Sequence, residues 1–183
     1  AVDAVKEGGS GNIEVIADAT FTDLTIRDKT IYLDLLKHTI KGNYIDVINK
    51  GATLYIKDTS PDKALSVDKD NDYAVSYTNS GTVEMTHIIG AYYGAGINVE
   101  SGTIVSTNDM ALSAIGDDTG EKDIKSYIKI TGGYIKAKSY CASPEGRGAS
   151  VTIEGNAVLE SLDNAVVAGN GTNTATKKLG GTS

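Results

Sequence analysis

Arginine, proline, cysteine and tryptophan are all scarce in this chain. Its 183 residues include two Arg, two Pro, one Cys and no Trp, and the formal net charge is −7. Because phosphate binding needs clustered Lys and Arg, an acidic chain whose only Arg are Arg27 and Arg147 is not expected to bind nucleic acid. The 21 Gly are typical of many tight turns, and 40% hydrophobic residues suffice for the core of one elongated domain.

A single cysteine excludes an internal disulfide. We expect Cys141 to be a small buried side chain rather than a reactive thiol, because no His lies near it in the sequence. Such low cysteine use is compatible with the cytosol and with bacterial surface proteins alike. No run of about 18 apolar residues occurs, which argues against insertion into a membrane.

The chain contains a loose internal repeat. Short apolar-alternating segments follow small polar turns at Asn49–Leu54, Asn79–Val83, Glu100–Ile104, Thr131–Ile135 and Glu154–Val158. Their apolar anchors lie 29, 21, 31 and 23 positions apart, at Leu54, Val83, Ile104, Ile135 and Val158. A unit of about 22 residues with loop insertions of variable length is typical of a solenoid.

Each repeat places two short strands on either side of a corner. The strand pairs are 97–99 with 103–104, 128–130 with 134–137, and 151–153 with 158–159. The corners between them contain Gly102, Gly133 and Gly155, and Gly adopts a positive φ at little cost. Stacked coils would pair each strand in parallel with its equivalents above and below.

The remaining segments predict a cap, more strands and three loops. Ala1, Val2 and Val5 share one face of a helix that ends at Gly8 and Gly9, so a capping helix over residues 1–9 would cover the apolar end of the first coil. Further strands are predicted at 12–17, 24–26, 30–35, 44–48 and 53–56. Polar segments at 57–72, 116–125 and 143–148 are interpreted as loops that leave the corners.

With these features the chain resembles the right-handed parallel β-helix proteins of the pectate-lyase-like superfamily. The resemblance is carried by the corner-and-strand pattern, by the opening helix, Gly8-Gly9 and strand, and by the segment Leu33–Ile40. It is closest in style to Gly/Thr-rich β-helices of bacterial surface proteins and of phage fibre, tailspike and capsid-decoration proteins. The resemblance implies an all-β, single-stranded right-handed parallel β-helix with a short N-terminal capping helix. Because this fold includes lyases, adhesins and structural rods, it does not define an activity.

The resemblance covers nearly the whole chain and predicts one β-helix domain over residues 1–183. The cap would occupy 1–9, the coils 10–168, and a loop leading to a further coil 169–183. The segment Arg147–Ser150 leads into a strand, and Leu179–Ser183 resembles the same lead-in. We therefore expect a piece of a longer polypeptide, and the alternative is that a partner chain supplies the next layer.

An acidic loop is the one candidate metal site. Asp68, Asp70 and Asp72 form the D-x-D-x-D opening of a Ca²⁺ loop, and alternating carboxylates can converge on one hard cation. The EF-hand pattern requires Gly at position 73 and Glu at position 79, where Tyr and Asn stand, so it does not apply. The alternatives are a different kind of Ca²⁺ site and a solvated acidic loop. His38 and His87 lack the spacing of metal ligands.

Tyrosine supplies the candidate carbohydrate site. The chain has one Phe but ten Tyr, and a Tyr ring can stack on a sugar while its hydroxyl forms a hydrogen bond. Adjacent strand residues point to opposite faces, so at least one of Tyr92 and Tyr93 is expected to be exposed. Other tyrosines that could extend a stripe along one face are Tyr32, Tyr55, Tyr73 and Tyr77. The alternative is that these are ordinary half-buried strand positions.

Little in the sequence points to enzymatic chemistry. Resemblance to pectate lyases would imply Asp residues that hold Ca²⁺ and a Lys or Arg base, yet neither Arg27 nor Arg147 has an acidic constellation at matching positions of a neighbouring coil. Glycoside hydrolysis needs two carboxylates a fixed distance apart, and Asp109, Asp117 and Asp118 lie in loops at comparable corners. Loop acids are usually only solvated.

These observations favour a non-enzymatic structural or attachment module of a longer extracellular protein at a cell surface or on a virion. That protein would be a phage fibre or capsid-decoration protein, or a bacterial surface adhesin. Its expected partners are other subunits of the assembly, with polysaccharide as a second class, and neither nucleic acid nor membrane insertion is expected. No cofactor is expected, with Ca²⁺ left open. The alternatives are a carbohydrate-binding module, with or without Ca²⁺, and a polysaccharide lyase or hydrolase.

Overall fold

Almost all regular structure in the described residues is β. The computed structural model describes residues 1–61, 64–67, 75–78, 80–116, 124–162, 165–169 and 172–175, with the backbone alone at 64–67, 75–78 and 172–175. Within these ranges the strands are β1 Ser10–Glu14, β2 Ala19–Thr20, β3 Asp23–Arg27, β4 Thr30–Asp34, β5 Thr39–Gly42, β6 Tyr44–Ile48, β7 Thr53–Lys57, β8 Ala64–Val67, β9 Val75–Thr78, β10 Thr82–Met85, β11 Ile89–Tyr92, β12 Gly96–Val99, β13 Thr103–Ser106, β14 Leu112–Ile115, β15 Tyr127–Ile130, β16 Tyr134–Ala137, β17 Ala142–Glu145, β18 Ser150–Ile153, β19 Val158–Ser161 and β20 Thr172–Ala175.

Three parallel sheets stack the chain coil upon coil. Sheet A has the order β1-β4-β7-β12-β15-β18-β20, sheet B the order β2-β5-β10-β13-β16-β19, and sheet C the order β3-β6-β11-β14-β17. Successive strands visit sheets A, B and C in turn, so each coil pairs with the coil before it and the coil after it. This arrangement is consistent with a parallel β-helix, and it satisfies most backbone groups without closing a barrel.

The predicted capping helix over residues 1–9 is wrong. Only a 3₁₀ turn, Val2–Ala4, forms there, and Val5 is already extended at φ −82° and ψ 121°. The Lys29 ammonium donates hydrogen bonds to the carbonyl oxygens of Val5 (2.7 Å) and Val2 (3.4 Å), which a helix would need for its own bonds. Val2 and Val5 still pack against the core, so the segment covers part of the first coil without being helical.

The interior consists of aliphatic ladders. In sheet B, Ile40, Val83, Ile104 and Ile135 occupy one register position in successive coils. The prediction that Val83, Ile104 and Ile135 are equivalent anchors is therefore confirmed. Leu54 belongs to sheet A instead, where it pairs with Ile31 and Ile97. Buried aliphatic side chains at most inward positions of the described residues supply the main favourable term for this fold.

The last predicted anchor is displaced by one residue. Leu159, not Val158, pairs with Ile135 in sheet B, because Val158 pairs with Tyr134. The corner before β19 has one more residue than the corner before β16, so the apolar position moves by one. A one-residue change of register exchanges the inner and outer faces of a strand.

Two of the three predicted loops contain regular structure. Part of the segment 57–72 belongs to an antiparallel hairpin of β8 and β9, inserted between β7 in sheet A and β10 in sheet B. Part of the segment 143–148 belongs to strand β17, whose residues Ala142–Pro144 are buried against β14 in sheet C. The segment 117–123 lies outside the described residues.

The corners between sheets A and B depend on left-handed backbone. Gly102, Gly133 and Gly155 have φ values of 92°, 87° and 71°, as the sequence predicted for these positions. In the second coil the equivalent corner uses Leu36 and Lys37, with φ values of 43° and 64°, where a side chain makes this conformation unfavourable.

Asp58 holds that strained corner together. Its carboxylate is buried and accepts hydrogen bonds from the N–H groups of Lys37 (3.2 Å), Ser60 (2.9 Å) and Gly81. Burial by itself would raise the pKa of Asp58, but these hydrogen bonds and that of the Ser60 side chain outweigh it and hold the pKa below its ordinary value. The Asp58 carboxylate therefore connects the corner of the second coil, at Lys37, with the residues that flank the inserted hairpin of the third coil, Ser60 and Gly81.

We predict that Ile104→Ala lowers the free energy of unfolding by about 2–5 kcal/mol, because its side chain is fully buried. Val105→Ala is the matched control, since Val105 is only half-buried and should lose no more than about 1 kcal/mol. Chemical denaturation followed by circular dichroism measures both. Equal losses would contradict the assignment of inner and outer faces.

We predict that Asp58→Asn lowers the free energy of unfolding at pH 7 by about 1–3 kcal/mol, because an amide cannot accept all of these bonds. The native pKa of Asp58 is lowered, so its contribution is complete near neutral pH and is lost as the pH falls through that native pKa. The difference between wild type and variant should therefore shrink in acid. Denaturation at pH 7 and at pH 3 tests this, and a difference that grows in acid would contradict it.

Candidate functional site

The structure places Tyr92 and Tyr93 side by side at the end of sheet C. Tyr92 is the last residue of β11 and Tyr93 begins the corner that leads to β12. Of the other predicted carbohydrate contacts, Tyr73 lies outside the described residues, and Tyr77 is described only as backbone of β9. The predicted Ca²⁺ ligands Asp68, Asp70 and Asp72 also lie outside the described residues.

Tyr92 lies flat over the sheet. A Cβ atom on Gly90 would come within 2.4–2.5 Å of the Tyr92 ring and hydroxyl, so only glycine permits this position of the phenol. Burial, then the charge of Asp46 and the hydrogen bond to Asp46, raise the pKa of Tyr92 to about 12. Tyr92 is therefore a protonated donor to Asp46 throughout the physiological range.

Asp46 and two serines continue this polar row along the outer face of sheet C. Register pairing lines up Asp46, Gly90, Ser113 and Ser143 in successive coils. The Ser143 hydroxyl donates to Glu145 Oε1 at 3.2 Å. Ser113 Oγ is buried and has no hydrogen-bond partner within the described part of the chain. The row thus contains one carboxylate, Asp46, and two hydroxyl groups, and the Ser143 hydroxyl at its other end bonds to the carboxylate of Glu145.

The pKa of Asp46 is raised above the usual carboxyl range. Burial is the main cause and the charge of Asp23 adds to it, while the hydrogen bond from Tyr92 acts in the opposite direction. On the same face Tyr44 stacks on His87, with ring centroids 4.7 Å apart and the planes 9° apart. This face can donate and accept hydrogen bonds and contains an aromatic surface.

A second row, the left-handed corner, runs beside this face. We use this name for Asp28, Asn49, Tyr93 and Gly146, which follow the strands of sheet C in different coils and have φ values of 52°, 82°, 55° and 78°. Asn49 Nδ2 donates to both carboxylate oxygens of Asp28, at 3.0 and 3.1 Å. Asp, Asn and Gly tolerate this backbone conformation well, but Tyr does not.

Tyr93 is also the most exposed aromatic side chain in the described residues. Its exposed fraction is 63%, against 38% for each of Tyr32 and Tyr44. Gly116 and Gly146 follow it along the corner in the next two coils and carry no side chain that could cover the ring. The ring is therefore accessible from solvent along one side of the corner.

Charged groups of both signs surround the left-handed corner. Arg27, Lys50 and Arg147 are exposed and form no ion pair within the described ranges. Lys50 lies beneath Gly94, with its Cα 3.3 Å from the position of a Cβ on that glycine. Both arginines of the chain thus flank one corner, which the sequence did not reveal.

The tyrosines of sheet A form a separate group. Tyr32 and Tyr55 stack with ring centroids 4.7 Å apart and the planes 18° apart, and Asn98 Nδ2 donates to the Tyr127 hydroxyl at 3.3 Å. Tyr32 and Tyr55 share a face, as the sequence suggested, but it is not the face of Tyr92. Each of the two rings covers one face of the other.

The thiol, histidine and loop carboxylate that the sequence analysis considered are Cys141, His38 and Asp109, and each contacts neighbouring protein groups. Burial raises the pKa of the Cys141 thiol to about 12, which confirms the interpretation of Cys141 as a buried side chain. His38 Nδ1 lies 3.5 Å from Asp18 Oδ1. Asp109 accepts a hydrogen bond from the N–H of Met110 at 2.8 Å, and Asp117 and Asp118 lie outside the described residues.

Neither a cluster of metal-binding side chains nor a membrane-spanning helix occurs in the described residues. No three or more His, Cys, Asp or Glu side chains are grouped so that they could hold a metal ion. No helix among those residues has the length and apolar character needed to cross a bilayer.

Comparisons of the chain with protein-family models, with curated proteins and with solved structures find no match. The candidate site is therefore defined by its geometry. Asp28, Asn49 and Asp46 were missed as site residues, because only the register places them beside Tyr92 and Tyr93. The available signal was the residue after each sheet C strand, where Asp, Asn and Gly recur.

We predict that Tyr92→Phe raises the pKa of Asp46 further, because it removes the hydrogen bond that favours the carboxylate. NMR titration of the Asp carboxyl carbons measures this change. Tyr32→Phe is the matched control, since Tyr32 lies on sheet A and should leave Asp46 unchanged. An unchanged pKa in Tyr92→Phe would show that the phenol does not bind Asp46.

Proposed function

We propose that the chain is a non-enzymatic structural and attachment module of a longer extracellular protein, folded as a right-handed parallel β-helix of the pectate-lyase-like kind. The observation that carries this proposal is the parallel pairing that continues through three sheets from coil to coil. The right hand follows from the strong preference of parallel crossover connections for that hand.

This architecture suits attachment for a physical reason. Backbone hydrogen bonds and buried aliphatic ladders recur in every coil, so unfolding requires the loss of many equivalent interactions together. The outer faces contribute little to the core and are free to vary. A phage fibre, a capsid-decoration protein and a bacterial surface adhesin all need such a support at a virion or cell surface.

The proposed partners are other protein subunits of the surface or virion assembly. The net charge of −7 keeps such a module soluble and disfavours nonspecific binding to nucleic acid and to anionic surfaces.

A second candidate function is carbohydrate binding. The specific observation in its favour is Tyr93, an aromatic ring that is 63% exposed at a corner where other coils use Asp, Asn or Gly. A sugar can stack on such a ring while neighbouring amide and carboxylate groups bind its hydroxyls. Ca²⁺ dependence would come from the loop that contains Asp68, Asp70 and Asp72, by the chemistry of oxygen ligands.

We predict that the purified chain binds a surface polysaccharide without cleaving it. A panel of neutral and acidic polysaccharides would be tested for retention of the protein by affinity electrophoresis and for new reducing ends or unsaturated uronates. Heat-unfolded protein is the control. Turnover of any polymer would overturn the non-enzymatic proposal, and absence of retention by all of them would leave no support for attachment to glycans.

For the Ca²⁺ alternative, we predict that added Ca²⁺ raises the Tm of the wild type, because a cation that binds only the native state stabilises it. The double variant Asp70→Ala/Asp72→Ala should lose this increase and keep the wild-type Tm in chelator. Thermal unfolding with Ca²⁺ and with chelator tests both statements. A variant that is equally destabilised in both buffers would contradict a Ca²⁺ site.

A further inference from the structure

We propose that Tyr93, with the hydrogen-bonded pair Asp28 and Asn49, forms a binding site for a neutral glycan. This inference rests on the proposed carbohydrate-binding function and adds the position of the site and the class of ligand. The Tyr93 ring would stack on the apolar face of one sugar, and the Asp28–Asn49 pair would bind the hydroxyls of the next.

Tyr93 has an unfavourable backbone conformation. The chain turns at the same register position after each strand of sheet C, and this position has a positive φ at Asp28, Asn49, Tyr93 and Gly146 but not at Gly116. Asp, Asn and Gly are the residue types that tolerate this conformation, whereas a bulky aromatic side chain is strained there. The Tyr93 ring does not repay that strain through burial, because most of it is exposed.

Two hydrogen-bonded polar side chains, Asn49 and Asp28, lie in the coils next to the Tyr93 ring. In the preceding coil Asn49 lies one strand spacing from Tyr93, about 4.8 Å away along the stack, and Asp28 lies one spacing further. Asn49 already donates to Asp28, so the pair is held in place before a ligand binds. An exposed ring in line with a fixed amide and carboxylate offers an apolar contact together with donors and acceptors for hydroxyls.

The charged side chains near Tyr93 favour a neutral glycan over an anionic one. Among the described residues, Arg27, Lys50, Lys125 and Arg147 are exposed cations near the corner, while the carboxylates of Asp28, Asp46 and Glu145 lie on the same side. The Lys29 ammonium is occupied by the carbonyl oxygens of Val2 and Val5. The Asp28 carboxylate is itself part of the proposed site, so it would repel an anionic sugar placed there but not a neutral one.

The test uses cellohexaose, mannohexaose and chitohexaose as neutral probes and hexagalacturonate as the anionic probe, with affinities measured by calorimetry. At least one neutral probe should bind, and hexagalacturonate should bind at least about tenfold more weakly. Tyr93→Gly should weaken neutral binding by at least about tenfold, because the stacking surface is lost. The same substitution should raise Tm by about 2 °C or more, because it removes backbone strain.

Tyr32→Ala is the matched control, since it removes an exposed tyrosine from sheet A and should leave binding unchanged. Asn49→Asp is a second variant, which keeps a side chain suited to the left-handed corner but places a carboxylate against Asp28; it should also weaken neutral binding.

The outcomes separate this inference from the function on which it rests. Neutral binding that survives Tyr93→Gly would overturn the site and leave the carbohydrate-binding proposal standing. Tighter binding of hexagalacturonate would overturn the ligand class. Binding of no probe would overturn both the inference and the carbohydrate-binding proposal. A lower Tm for Tyr93→Gly would show that the ring stabilises the fold, which contradicts its assignment as a ligand contact.

Discussion

Parallel backbone pairing between successive coils is the constraint on which the rest of the structure depends. Neighbouring strands lie about 4.8 Å apart, so side chains at one register position contact their equivalents in the next coil. Inside, this repetition produces the aliphatic ladders through Ile104. Outside, it produces the stack of Tyr32 on Tyr55 and the ion pair between Lys41 and Glu84. A residue change therefore acts on the coils above and below as well as on its own.

The same pairing makes the corners demanding. Each coil must turn within a few residues and return to register, and several of these turns need a left-handed backbone. Glycine meets this demand at Gly102 and Gly133, whereas the second coil relies on the buried carboxylate of Asp58 to hold non-glycine residues in place. Glycine avoids the strain, and Asp58 offsets it with hydrogen bonds. Tyr93 carries a bulky side chain at such a turn, and most of that side chain is exposed.

The sequence predicted most strands of sheets A and B and two strands of sheet C, at 24–26 and 44–48, but it did not reveal β2, β5, β14 or β17, and the predicted cap was wrong. Strands of sheets A and B alternate β-branched and polar residues, and their corners contain glycine, so both signals were visible. Sheet C is built partly from small residues, as in Ile89–Tyr92 and Ala142–Glu145, whose propensity for strands is weak. Such strands are formed by tertiary pairing with their neighbours. The capping helix is absent: the chain is already extended at Val5, and Lys29, distant in sequence, binds the carbonyl oxygens of Val2 and Val5.

The candidate site shows the same limit at the level of single residues. That one of two adjacent tyrosines would be exposed followed from strand geometry, although Tyr93 is exposed because it lies in a corner and not because strand faces alternate. Its neighbour Asn49 is 44 positions earlier, and that separation includes the inserted hairpin of β8 and β9. An insertion of this size breaks any fixed period, so no spacing rule could align the two. Only the pairing of Ile48 with Tyr92 brings them into one row, which means that the site is a property of the stacked coils rather than of any local motif.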